Sequence, residues 1–115
     1  MATVEQVQAL ARGLPRSYEV YVYGRLKYRV GQIVYLAFSR DFELMGFAFP
    51  REWRPVLIEA EPDKFLLPRA SDMRFNWIES RLGALEETEL RDLVLDAWQM
   101  VVPKRVAAAY TAGRA

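Results

Sequence analysis

The sequence predicts an α+β domain, an antiparallel sheet of about five strands with N-terminal and C-terminal helices packed on one face. Three observations predict it. Between Tyr18 and Phe49 apolar residues recur at every second position, the period of a half-buried strand. On either side of that stretch they recur at every third and fourth, the period of a helix face. The period-two runs are joined by short turns, which makes an antiparallel meander. At 115 residues and 52% hydrophobic, the chain is the size of one domain and can build its own core.

The first helix spans Val4 to Arg12. Thr3 and Gln6 form a capping box, Val4, Val7, Leu10 and Leu14 make one stripe, and Gly13 and Pro15 stop it. Val20 and Val22 then alternate with Glu19, Tyr21 and Tyr23, and Gly24 breaks the run. Leu26, Tyr28 and Val30 alternate with Arg25, Lys27 and Arg29, a strand with a basic outer face. Gly31-Gln32 is a hairpin turn, and Ile33 to Phe38 is its partner strand. Ser39-Arg40-Asp41 is a second turn before a strand from Phe42 to Phe49. Gly46 within it marks a bulge or a close approach.

Pro50 ends the meander, and a helix follows from near Glu52 or Arg54 to Ala60, with Pro55 tolerable only in its first turn. Pro62 and Pro68 bracket a short extended or looped piece, Asp63 to Leu67. Arg69 to Met73 reads as a loop and Phe75 to Leu82 as the last strand. The strongest helix signal comes next, with Leu90, Leu93, Val94, Ala97, Trp98 and Val101 at helical spacing behind an acidic start. Pro103 interrupts it. Lys104 to Tyr110 forms a final short helix before a polar tail, Thr111 to Ala115. The large aromatics, Trp53, Trp77 and Trp98 among them, read most simply as core.

Composition excludes more than it assigns. The chain has no cysteine and no histidine. That removes disulfides, thiolate nucleophiles, Cys- and His-ligated metals and histidine-activated nucleophiles. Ser39, Ser71 and Ser80 have no histidine to activate them, and no Gly-rich phosphate loop is present. The start lacks the apolar core of a secretory signal and no run is long enough to span a membrane, so the expected compartment is the cytoplasm. The expectation is a protein without enzymatic activity, cofactor or membrane partner, and a monomer. The acidic group Glu86, Glu87, Glu89, Asp92 and Asp96 reads as charge complementing a helix start rather than a metal site.

Net charge is +1, but residues 12–40 hold six cations against Glu19 alone. A basic hairpin beside aromatics can lie along a phosphate backbone, and it can equally be the solvated face of an edge strand. Tyr21, Tyr23 and Tyr28 can stack bases or form cross-strand pairs.

The order of the pieces resembles the MmcQ/YjbR-like family. The matching stretches are Tyr23 to Gln32, Glu61 to Phe65, Asn76 to Ile78 with Leu82, Leu90 to Trp98, and Val102 to Arg105. Gln32 stands where many members carry Lys, and Tyr23 where many carry His or another polar residue. The resemblance implies a frataxin/CyaY-like fold and a DNA-binding role through the hairpin. Arg25, Lys27, Arg29 and Arg40 would then contact phosphates, flanked by Lys104 and Arg105. The iron-binding carboxylates of frataxin-like proteins are not carried over, because the first helix offers Glu5 alone. The alternative is a small-ligand or protein-interaction module using exposed aromatics and a groove around Trp53.

Overall fold

The computed structural model describes residues 1–113, so Arg114 and Ala115 of the expected tail lie outside the described residues. Helix α1 spans Val4–Arg12. Four strands follow, β1 (Ser17–Val22), β2 (Arg25–Val30), β3 (Ile33–Phe38) and β4 (Leu44–Ala48). Then come α2 (Arg54–Ala60), β5 (Phe65–Leu66), β6 (Trp77–Arg81), α3 (Glu87–Gln99) and α4 (Lys104–Gly113). Thr111 to Gly113 therefore extend the last helix rather than fray from it.

The sheet is antiparallel throughout, in the order β1-β2-β3-β4-β6-β5. It has six strands, not five. The sixth is the Pro-bracketed piece, where Phe65 and Leu66 pair with Ser80 and Glu79. Two residues are too few to show a period, and what makes them a strand is the burial of Phe65 against Phe47.

Local chemistry sets the turns. Val22 pairs with Arg25, so Tyr23-Gly24 is a two-residue loop, and both residues have positive φ, 52° and 77°. That is a type I′ turn, whose twist suits a hairpin. In the next hairpin only Gly31, at φ 59°, is left-handed, as a type II′ turn requires. On β3, Leu36 pairs with Tyr28 and Val34 with Arg29, so Tyr35 is the extra residue of a bulge. The bulge turns Tyr35 into the core with Leu36, and its hydroxyl meets Ser17 Oγ at 2.6 Å. Burial pushes the Tyr35 pKa up to about 12.

One face of the sheet carries the core. Leu26, Tyr28, Leu36, Met45, Phe47 and Ile78 are buried there beneath α1 and α3. Trp98 of α3 is fully buried. Its indole N–H donates to the Pro15 carbonyl at 2.9 Å, and its ring meets Tyr110 of α4 edge-on. Glu86 caps α3 in a reciprocal box with Glu89, which also accepts from Lys64 at 3.1 Å. Those carboxylates serve a helix start, and among the described residues no three acidic side chains are grouped so as to hold a metal ion. No helix among the described residues is long and apolar enough to cross a membrane.

Polarity on the edge strand β1 is the reverse of the simplest reading of its alternation. Glu19 and Tyr21 pair with Tyr28 and Leu26 and so share the helix side, while Val20 and Val22 share the open side with Lys27 and Arg25. Glu19 is used there. It accepts from Arg12 Nε at 2.9 Å and from the Tyr28 hydroxyl at 3.1 Å, and the Arg12 bond holds its carboxyl below the usual range.

Candidate functional site

The face opposite the helices is open. Alternation along β2 sends Leu26, Tyr28 and Val30 into the core, so Arg25, Lys27 and Arg29 point the other way. Their spacing along the strand is about 6.8 Å. No side-chain hydrogen bond or close ion pair engages any of the three among the described residues, Glu79 acts on Arg25 only at longer range, and Arg29 Nε is buried without a partner. Three cations in one row without a close ion pair is unusual for a chain with almost as many acids as bases.

The other expected cations are placed differently. Arg40 folds back on the first turn, donating from Nε and Nη2 to the Tyr23 carbonyl at 3.2 and 3.0 Å. It clips two turns together. Lys104 and Arg105 are exposed on the first turn of α4, and neither lines the cleft that crosses the open face. The structure thus sets Arg25, Lys27 and Arg29 in one row on β2, with Lys104 and Arg105 on α4 outside the cleft.

Arg25 and Lys27 form one wall of an open cleft of about 1030 Å³ that crosses the sheet. Its floor is made of small residues. Lys27 pairs with Ala37, Ala37 with Gly46 and Gly46 with Glu79, so one cross-strand row runs from a cation to a carboxylate. The far wall is the segment Leu66 to Arg69 with Phe75 and Trp77.

Trp77 and Glu79 were not legible as site residues, because each looked like an ordinary strand residue. Two apart on β6, they share a face, and Trp77 Nε1 donates to Glu79 Oε2 at 2.9 Å. Both fold over Gly46. A Cβ on Gly46 would stand 2.5 Å from Glu79 Oε2 and 2.6 Å from Trp77 Nε1. The glycine is therefore a close approach, not a bulge. Burial pushes the Glu79 pKa up against the opposing pull of the Trp77 hydrogen bond, while Asp72 adds repulsion and Arg69 and Arg25 relieve it. Trp77 is consequently half-buried on the open face, not in the core.

A buried arginine sets the position of this wall. Arg54 of α2 is 6% exposed. Its Nη1 donates to the carbonyls of Phe75 and Trp77, both at 2.9 Å, and Nη2 to that of Met73 at 2.6 Å. Neighbouring Trp53 is 58% exposed and outside the cleft, so the groove lies across the sheet rather than around that residue.

No curated protein matches the chain. Among solved structures, a Deinococcus radiodurans protein described by its DUF419 domain superposes with a TM-score of 0.75 at 19% identity, covering 87% of this chain and 78% of that one. At that identity the likeness shows a shared fold. The YjbR family model matches residues 12–100, from the end of α1 through α3 and so across all six strands, and the chain belongs to the YjbR family.

Proposed function

We propose that this protein is a non-enzymatic DNA-binding protein that lays a strand across the open face of its sheet. The carrying observation is the row Arg25, Lys27 and Arg29, three cations on one strand face, none of them in a close ion pair among the described residues. Phosphate oxygens supply the charged acceptors that the row lacks. Arg40 supports the reading indirectly, by fixing the turn from which Arg25 emerges.

A second reading, a small-ligand module, is favoured by one observation. The cleft contains a half-buried carboxylate, which a groove made only for phosphates has no use for.

Fluorescence anisotropy of a labelled single strand and its duplex separates the two. Three phosphate contacts give a slope of log K against log salt of about −2 on a single strand and about −2.7 on a duplex. Between about 50 and about 200 mM salt, affinity then falls roughly 20-fold and 40-fold respectively. Arg25→Ala with Arg29→Ala should reduce the slope by about two thirds. No binding of either probe at the lower salt overturns the proposal in favour of the ligand module.

A further inference from the structure

We infer that the notch formed by Trp77 and Glu79 over Gly46 is a base-recognition subsite selective for guanine. The inference rests on the strand-binding reading and identifies the part of the ligand that lies beyond the phosphates.

The first observation is a carboxylate held in place but half used. Glu79 Oε2 accepts from the Trp77 indole, and Oε1 has no hydrogen-bond partner among the described residues, Arg69 and Arg25 acting on the carboxylate through charge alone. A carboxylate only accepts, and its best complement is a planar pair of adjacent N–H donors taken by both oxygens. Of the four DNA bases, guanine alone has two neighbouring donors on its Watson–Crick edge, N1–H and the N2 amine. Adenine and cytosine set one donor beside an acceptor, which a carboxylate repels. Thymine sets one donor between two acceptors.

The second observation is the shape. Ala37 and Ala48 keep the cleft floor low, and the absent Gly46 Cβ lets the Trp77 ring and the Glu79 carboxylate lie over the sheet. Phe75, exposed at the rim, and Trp77 supply π-faces for an unstacked base.

The third is polarity. Lys27 and Glu79 sit at opposite ends of one cross-strand row, three strand spacings or about 14 Å apart. A guanosine nucleotide has the matching polarity, with an anionic phosphate at one end and an N–H-rich edge at the other. The same chemistry is presented by a base in a strand and by a free guanosine monophosphate.

The test is anisotropy of about 12-nucleotide labelled thymine tracts whose central base is guanine, hypoxanthine, adenine, cytosine or thymine, with guanosine monophosphate as competitor. Wild type should bind the guanine strand about 10-fold tighter than the thymine strand. Hypoxanthine, which lacks the N2 amine, should lose most of that gain. Glu79→Gln should level the five strands. Equal wild-type affinity for all five overturns the inference and leaves strand binding standing. Binding of the free nucleotide with no binding of any strand upholds the guanine site and overturns the strand reading. No binding of strand or nucleotide overturns both. The guanine–hypoxanthine comparison uses only wild-type protein, so it decides the matter even if the variant fails to fold.

Discussion

Gly46 and Glu79 face each other across β4 and β6, and the Glu79 carboxylate occupies the space that a Gly46 side chain would fill. The pairing explains a glycine in the middle of a central strand, where it otherwise weakens the ladder. It also links the sheet to the cleft, because the same missing Cβ admits the Trp77 ring.

Gly46→Ala therefore tests the wall of the cleft. An added methyl forces Trp77 or Glu79 aside, and strain of this kind costs about 1–3 kcal/mol. The variant should unfold at lower urea than wild type. Its tryptophan emission should also shift, since the indole loses its hydrogen bond to the carboxylate. An unchanged spectrum and midpoint would mean that the two side chains move away freely.

Arg54→Met should destabilise the protein more than any surface substitution. One guanidinium serves three carbonyls, and its removal leaves them without that donor in a partly buried place. The expected loss is about 2–4 kcal/mol in chemical denaturation. Arg54→Lys should recover only part of it, because an ammonium cannot reproduce the planar fork. Recovery of full stability by lysine would show that charge, not geometry, matters there.

Much of the scaffold was legible because its signals are local. Thr3 and Gln6 announce a capping box that forms as read, and Ile33 to Phe38 is a strand at the expected ends. The features that sequence could not show depend on the third dimension. Arg54 looked like an ordinary helix start and became buried only through carbonyls more than eighteen residues away. Trp77 looked like core because large aromatics usually are, yet the sheet has two faces and only one is covered. The available signal was Trp-x-Glu on a strand, which fixes a shared face without saying which one. The basic outer face of β2 was legible from alternation alone, whereas the absence of Lys104 and Arg105 from the cleft was not.

Tyr23→Asn should stabilise the first hairpin. Tyr23 sits at φ 52° in a type I′ turn, and its side chain is 87% exposed. A left-handed tyrosine carries a strain of about 1–2 kcal/mol, which asparagine tolerates better. Little packing is lost, and the carbonyl that holds Arg40 is backbone and stays. A gain of about 0.5–1 kcal/mol should raise Tm by a few degrees. A fall in Tm would assign the Tyr23 ring a packing role that its exposure does not suggest.

Glu79 should make stability depend on pH in a direction opposite to that of a salt-bridged carboxylate. Its pKa is raised in the folded state, chiefly by burial, so the native protein binds this proton more tightly than the unfolded chain does. Stability from this group is then fully present below the unfolded carboxylate value, about 4.3, and is lost as pH rises through the folded value. At neutral pH the ionised side chain is a standing cost to the fold, retained in the face where the ligand is proposed to lie. Glu79→Gln removes the charge, and its amide oxygen can still accept from Trp77. The variant should melt above wild type at pH 7, and the difference should shrink as pH is lowered toward 4. Thermal unfolding of both proteins at a series of pH values checks this. A gap that stays constant with pH would mean that the carboxylate is well solvated, and that its place over Gly46 carries no electrostatic penalty.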